Sequence, residues 1–249
     1  MDRKKKIMLL VVIGWVLSVL VIVGVVAAIK YRRHKIENKR EAKSSEMVDQ
    51  IKGGQASFVV DPNALPVSGE EIDDEVDGDD VEETLDIKLT FETPDIDETE
   101  ETDEVDSDSN NSGSGYNLIS YGTINIPSIN CDIPLWEGAG KIELRYGAGR
   151  MPLSCHAGQQ GNLVIYGHRM RKYGSMFNRL GEVQIGDSII ITRIDGSSYT
   201  YIVDQIETIE PSQITSYIEV EDSGARITLI TCTPTGVGTH RLLVIGHLS

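Results

Sequence analysis

The chain has few of the residues that mark several common classes of protein. It has 3 cysteines in 249 residues, too few and too irregularly spaced for a disulfide framework or a four-ligand zinc site. None of its 5 histidines stands at metal-ligand spacing from a cysteine, and the adjacent Cys155 and His156 are poor joint ligands. We therefore expect neither a bound metal nor chemistry that depends on one.

A domain-wide excess of positive charge is also missing. The formal net charge is −16, made up of +6 in residues 1–68, −20 in residues 69–109 and −2 in residues 110–249. This charge distribution argues against nucleic-acid binding, because no domain has a basic face to neutralise phosphates. The acidity belongs to one stretch of 41 residues and not to a folded surface.

Charge is absent altogether from residues 7–29, a run of 23 residues. As a helix this run is roughly 34 Å long, enough to cross a hydrocarbon core of about 30 Å. A cleaved signal peptide has a shorter apolar region and a small-x-small cleavage site, of which Ala27-Ala28 is a poor version. The sequence therefore predicts a single-pass transmembrane helix after a short tail, residues 1–6. Basic residues flank the run on both sides, so the charge count leaves its orientation open.

Residues 30–115 are predicted to tether this helix to a folded domain. Residues 30–52 suit a short juxtamembrane helix, and the glycines and prolines of residues 53–68 break regular structure. The acidic stretch beyond has few apolar residues to bury and repels itself, which indicates a disordered linker. Its aspartates do not have the spacing of an EF-hand calcium loop.

Residues 116–249 have the pattern of an all-β domain, in which short apolar runs alternate with turn residues. The predicted strands are residues 121–126, 161–167, 188–194, 199–206, 226–232 and 241–246, with an Asp195-Gly196 hairpin turn between the third and fourth. Short helices are predicted at residues 142–146, 173–180 and 212–217. Several short strands with regular turns indicate a sandwich or a barrel.

Three residues at predicted strand ends stand out as candidate catalytic groups. Cys232 and His168 each close an apolar strand, and Arg241 opens the last strand nine residues after Cys232. A thiol nucleophile acts as the thiolate, which a nearby cation favours, and an arginine can hold a developing oxyanion. On the pattern alone, a buried structural cysteine and a surface arginine remain an alternative.

The other histidines and cysteines are weaker candidates. Cys155 and His156 form a rival pair, but neighbours on a loop point apart. His240 adjoins Arg241 on a strand, so the two side chains face opposite sides. His247 is expected at the surface, and Cys131 is expected to be a small buried apolar residue. A disulfide between Cys131 and Cys155 is left open.

Four motifs, in the same order, resemble the sortase family of cysteine transpeptidases. TLITC (228–232) resembles the family's TLxTC signature, YGTINIP (121–127) is similar to the start of its barrel, and GHR (167–169) is similar to its histidine segment. TPTG (233–236) and THRLLV (239–244) resemble class C, the pilin-polymerising sortases. The resemblance covers residues 116–249, about half of the chain, and implies a sortase-like eight-stranded β-barrel.

The resemblance also implies the chemistry. Cys232 would attack the Thr–Gly carbonyl of an LPXTG-like sorting signal and form a thioester. His168 would pair with the thiolate and protonate the leaving amine, and Arg241 would stabilise the oxyanion. An amine of a lipid-linked wall precursor or a pilin lysine would then resolve the thioester, with no cofactor. The activity belongs to the surface of Gram-positive cells, which places residues 116–249 outside the membrane and residues 1–6 in the cytoplasm.

Two alternatives stay open at this point. Class C enzymes often carry a lid with an Asp-Pro-aromatic anchor, whereas here Asp61-Pro62 is followed by Asn63, about sixty residues before the barrel. Pilus assembly and housekeeping anchoring of surface proteins are therefore both possible. The non-enzymatic alternative is a membrane-tethered β-domain that binds a wall ligand or a protein partner.

Overall fold

A single long helix begins the chain. The computed structural model describes residues 3–62, 64–65, 115–219 and 224–249, with the backbone alone for residues 3–12. Helix α1 runs from Arg3 to Lys52. Its N-terminal part is exposed and, among the residues described, α1 is the one helix that contains a stretch long and apolar enough to cross a membrane.

The C-terminal part of α1 packs against the folded domain. Buried residues recur there every three or four positions, which makes one face of the helix a contact stripe: Arg40, Ser44, Met47, Val48 and Ile51. The predicted juxtamembrane helix is thus the unbroken continuation of the apolar helix. It ends where Gly54 adopts a φ of +93°, a conformation that disfavours other residues.

The folded domain consists of nine strands and two short α-helices among the described residues. The strands are β1 (Ser57–Val60), β2 (Tyr116–Ile126), β3 (Cys131–Glu137), β4 (Ala148–Arg150), β5 (Gly161–Tyr166), β6 (Ser188–Arg193), β7 (Ser198–Ile209), β8 (Ala225–Thr233) and β9 (His240–Leu248). The helices are α2 (Lys141–Tyr146) and α3 (Ile214–Ile218). Single 3-10 turns occur at Pro127–Ile129, Leu180–Glu182 and Pro211–Gln213.

Eight of these strands close into a barrel, as the family resemblance implies. Their order is β2-β3-β4-β5-β8-β9-β7-β6, and β6 pairs back onto β2. The β3–β4 and β5–β8 pairs are parallel, and the other pairs are antiparallel. The predicted Asp195-Gly196 turn joins β6 to β7, with Gly196 at a φ of +84°.

Strand β1 lies outside the barrel and changes the interpretation of the linker. It pairs with the first residues of β2, where Val60 is the partner of Tyr116. The sequence predicts irregular structure here, but Phe58 and Val60 are buried with Met47 and Ile51 of α1. The described residues on either side of the acidic segment thus lie next to each other. The predicted disorder of residues 69–114 lies outside the described residues.

The barrel wall buries side chains on both faces. Along β5, Leu163 and Ile165 point into the barrel core, whereas Val164 and Tyr166 pack on the outer face. Leu144 of α2 and Ile214 of α3 cover that outer face. These two helices lie within the segments where the sequence predicts them.

The helix predicted at residues 173–180 is wrong. The segment consists of turns, because Gly174 adopts a φ of +83° and Asn178 hydrogen-bonds the local backbone in place of a helical ladder. The Asn178 Nδ2 group donates to the carbonyl of Met170, and Asn178 Oδ1 accepts from the amide of Gly174.

Candidate active site

Two of the three predicted site residues face each other across a strand pair. Cys232 lies near the end of β8, and Arg241 is the second residue of β9 and the direct partner of Cys232 in the ladder. Arg241 is 8% exposed and donates from Nη1 to the carbonyl of Gly238 at 2.8 Å. Its Nε is buried and has no hydrogen-bond partner among the described residues.

The third residue, His168, follows the end of β5. Gly167, the residue before it, is hydrogen-bonded to β8. Its amide donates to Ile230 O at 3.1 Å, and its carbonyl accepts from Thr231 Oγ1 at 2.7 Å. A Cβ on Gly167 would lie 2.4 Å from the ring of Phe177, so glycine is required for this close approach. These contacts place the backbone of His168 beside the end of β8.

The imidazole of His168 is in an environment that disfavours its charge. Burial first, and then the positive charges of Arg40 and Arg145, lower the pKa of His168 from 6.5 to about 4. Its Nε2 is buried with no hydrogen-bond partner in the part of the chain that the structure describes. At neutral pH His168 is therefore uncharged and has a free ring nitrogen.

All three residues line one narrow groove on the outside of the barrel. Its lining residues are Leu144, Tyr166, Gly167, His168, Ile230, Thr231, Cys232 and Arg241. The free volume of the groove is about 10 Å³, room for about one water molecule. A larger cavity of about 390 Å³ lies between α1 and β1, but its lining has no thiol or imidazole. The groove, and not this cavity, is the candidate site because a thiol, an imidazole and a guanidinium line it.

Two arginines tie the loop after His168 to the loop after Cys232. Arg169 Nη1 donates to Thr233 Oγ1 at 2.7 Å, and Arg171 Nη2 donates to Gly236 O at 3.3 Å. Neither arginine was predicted to have a role, although Arg169 is the last residue of the GHR motif (167–169).

The N-terminal segment also reaches this side of the barrel. Arg40 Nη1 approaches Met170 Sδ at 3.8 Å, and Lys172 Nζ pairs with Glu41 at 2.6 Å. The carbonyls of Asp61 and Pro62 accept hydrogen bonds from Tyr146 and Arg145 of α2. The Asp61-Pro62 pair is remote from the barrel in sequence, but it packs against the helix that borders the groove.

The remaining candidates lie outside the groove. His156 stacks on Tyr121, 5.8 Å between ring centroids, near the other end of β5. His240 is exposed, and His247 pairs with Asp204 at the surface. Cys131 is buried, and burial raises the pKa of its thiol to about 12. All three cysteines are free thiols.

The sequence of the barrel matches a family of known proteins. The family described as a sortase domain matches residues 124–249. Sortase A of Listeria monocytogenes is 32% identical over 127 residues, which is 51% of this chain and 55% of that protein. The chain thus matches about half the length of this curated relative.

Solved structures show the same likeness. A lid mutant of sortase A from Corynebacterium diphtheriae has a TM-score of 0.50 and 33% identity, covering 53% of this chain and 71% of that one. Sortase C1 of Streptococcus agalactiae has a TM-score of 0.49 and 34% identity, over 52% of this chain and 69% of that one. Because the family match extends over half of the sequence, from β2 to the last residue, this chain belongs to the sortase family.

Proposed function

We propose that this protein is a membrane-anchored cysteine transpeptidase that cleaves an LPXTG-like sorting signal between Thr and Gly and transfers the acyl group to an amine. The observation that carries the proposal is the convergence of Cys232, His168 and Arg241 on one groove. A thiol, a neutral imidazole and a guanidinium are together sufficient for acyl transfer, without a metal or cofactor.

Each residue has a role that its surroundings support. His168 accepts the proton of the Cys232 thiol at its free Nε2, and the sulfur attacks the Thr carbonyl carbon. Arg241, opposite Cys232, stabilises the oxyanion that forms. When the intermediate collapses, the C–N bond breaks and the imidazolium gives its proton to the leaving Gly amine. An incoming amine then attacks the thioester, loses a proton to His168, and releases the Cys232 sulfur.

The location of the protein is part of the same proposal. Residues 7–29 cross the membrane, residues 1–6 lie in the cytoplasm, and the barrel of residues 116–249 lies outside the cell. The helix that crosses the membrane continues to Lys52 and packs on the barrel, which favours a barrel close to the membrane surface. The amine acceptor is a lipid-linked wall precursor or a pilin lysine, and the class C-like motifs favour a pilin.

The test uses the full chain in detergent micelles and a fluorogenic LPXTG-like peptide with an added amine. We expect cleavage and a new amide product, both abolished by Cys232→Ala and retained in the matched variant Cys155→Ala. Equal cleavage by Cys232→Ala would refute the assignment of the nucleophile. No cleavage by the unaltered chain, with Cys232 no more reactive than free cysteine toward a thiol reagent, would favour a non-catalytic binding domain.

A further inference from the structure

Tyr166 is a buried tyrosine that lines the groove. It is the last residue of β5, two residues before His168, and its ladder partner in β8 is Ile230. Its side chain packs on the outer face of the barrel with Leu144 and Leu243. It therefore forms part of the wall of the groove that holds Cys232.

The hydroxyl of Tyr166 is buried and unsatisfied. The residue is 6% exposed, and its Oη has no hydrogen-bond partner among the described residues. Burial raises the pKa of Tyr166 to about 12, with Arg241 acting in the opposite direction, so the phenol keeps its proton. A buried donor without an acceptor costs free energy, which a phenylalanine at this position would avoid.

Two other buried tyrosines show what a structural hydroxyl looks like in this fold. Tyr121 Oη accepts from the amide of Ala157 at 2.7 Å, and Tyr201 Oη accepts from the amide of Gly158 at 2.9 Å. Tyr166 lacks such a partner. Two other atoms in the same groove, His168 Nε2 and Arg241 Nε, also have no hydrogen-bond partner among the described residues. Three of the twelve buried polar atoms without a hydrogen-bond partner among the described residues thus belong to side chains that line this one groove.

The ladder register indicates which part of the substrate Tyr166 meets. Arg241 is opposite Cys232, whereas Tyr166 is opposite Ile230, two residues before Cys232 in β8. That separation is roughly 7 Å, the length of two residues of an extended peptide. On the other side of Cys232, residues 234–237 are exposed, which suits the exchange of the leaving and incoming amines. The acyl side of the peptide therefore belongs on the Tyr166 side.

We propose that Tyr166 is a substrate-binding residue whose hydroxyl donates a hydrogen bond to a main-chain carbonyl of the peptide, on the acyl side of the scissile bond. This inference rests on the proposed transpeptidase function. The contact exists before and during the reaction, so it contributes to binding more than to the chemical step.

The test compares Tyr166→Phe with Tyr201→Phe in the full chain, by steady-state peptide cleavage and thermal unfolding. For Tyr166→Phe we expect KM to rise roughly five- to tenfold, the value for one lost hydrogen bond, with kcat within about twofold and Tm unchanged or higher. For Tyr201→Phe, which removes a satisfied hydroxyl at the far end of the barrel, we expect a lower Tm and unchanged kinetic constants.

The remaining outcomes overturn the inference in distinguishable ways. If the unaltered chain cleaves the peptide and Tyr166→Phe has the same KM, the hydroxyl does not bind substrate and the proposed function stands. A lower Tm for Tyr166→Phe would assign the hydroxyl a structural role, and a lower kcat at constant KM would place it at the reacting atoms. If the unaltered chain cleaves no peptide, both proposals fail together.

Discussion

Arg169 Nη1 donates a hydrogen bond to Thr233 Oγ1 at 2.7 Å, which joins the residue after His168 to the residue after Cys232. The two loops come from strands β5 and β8, which are parallel neighbours in the barrel wall. The guanidinium lies over Gly181, where a Cβ would approach Arg169 Nη2 to 2.8 Å. This contact joins the loops that follow the proposed nucleophile and the proposed base.

We predict that Arg169→Ala lowers kcat roughly ten- to hundredfold and changes KM little. The reason is that a nucleophile displaced by a fraction of an ångström loses much of its catalytic advantage, whereas the peptide-binding wall stays in place. Steady-state kinetics and the rate of Cys232 alkylation measure the effect. Arg169→Lys should recover part of kcat, because it keeps a donor but not the planar fork.

Arg171→Ala is the matched control for this prediction. Arg171 is exposed and bonds a backbone carbonyl of the same loop at 3.3 Å. Because an exposed bond of that length contributes little, kcat should stay within about twofold. Equal losses in Arg169→Ala and Arg171→Ala would show that general loop rigidity, and not the Thr233 contact, determines the rate.

Arg40 of α1 is predicted to tune the protonation of His168. Its charge, together with that of Arg145, adds to burial in lowering the pKa of His168 to about 4. Arg40→Gln should raise this pKa toward 6.5 without reaching it, because burial is the larger cause. Histidine ring shifts in an NMR titration measure the pKa, and Lys39→Gln, an exposed neighbour on α1, should leave it unchanged. No change in Arg40→Gln would mean that burial and Arg145 set the pKa without a contribution from Arg40.

The same low pKa predicts a loss of stability in mild acid. Because the pKa of His168 is lower in the folded state than in the unfolded state, its contribution is present above pH 6.5 and is lost as the pH falls to about 4. The loss reaches at most roughly 3 kcal/mol over this interval. Denaturant unfolding at pH 7, 5.5 and 4 measures it, and His168→Gln should flatten this part of the profile. An equally steep profile in His168→Gln would assign the acid sensitivity to other groups.

Most of the strands, and the three groove residues as candidates, were predictable from local signals, whereas the closed barrel was implied by the family resemblance. Cys232 and Arg241 are nine residues apart, on either side of a turn marked by Pro234 and Gly236, which is how two partners in an antiparallel pair are spaced. Short apolar runs likewise define β5 and β8. The strand-end position of His168 made it a third candidate, and the family motifs at these positions added the expectation that the three residues act together.

The N-terminal packing was not predictable from local patterns. The contact of Arg40 with Met170 joins residues 130 positions apart, and β1 has four residues between glycines and prolines. Its partner in β2 follows only after the long acidic segment. A strand of this length is specified by its burial against Met47 and Trp136, which is a tertiary property.

Met47 is predicted to anchor α1 to the barrel. It is 1% exposed and packs in one cluster with Ile51, Phe58 and Trp136. Met47→Ala should weaken this packing by about 2–5 kcal/mol, because a buried side chain is replaced by a cavity. Amide hydrogen exchange should accelerate in residues 40–60 and stay unchanged in β8 and β9. Glu46→Ala, an exposed neighbour, is the control, and uniform acceleration in Met47→Ala would mean that helix and barrel unfold as one unit.

A side chain at position 167 is predicted to conflict with the ring of Phe177. A Cβ there would lie 2.4 Å from the ring of Phe177, which is fully buried. Gly167→Ala should destabilise the fold by about 1–3 kcal/mol and reduce kcat, since the ring or the backbone before His168 must shift. The double variant Gly167→Ala/Phe177→Leu should recover part of both losses, because leucine vacates the space that the methyl group needs. A double-mutant cycle in unfolding free energy and kcat isolates this coupling, and strictly additive losses would place the conflict elsewhere than the Phe177 ring.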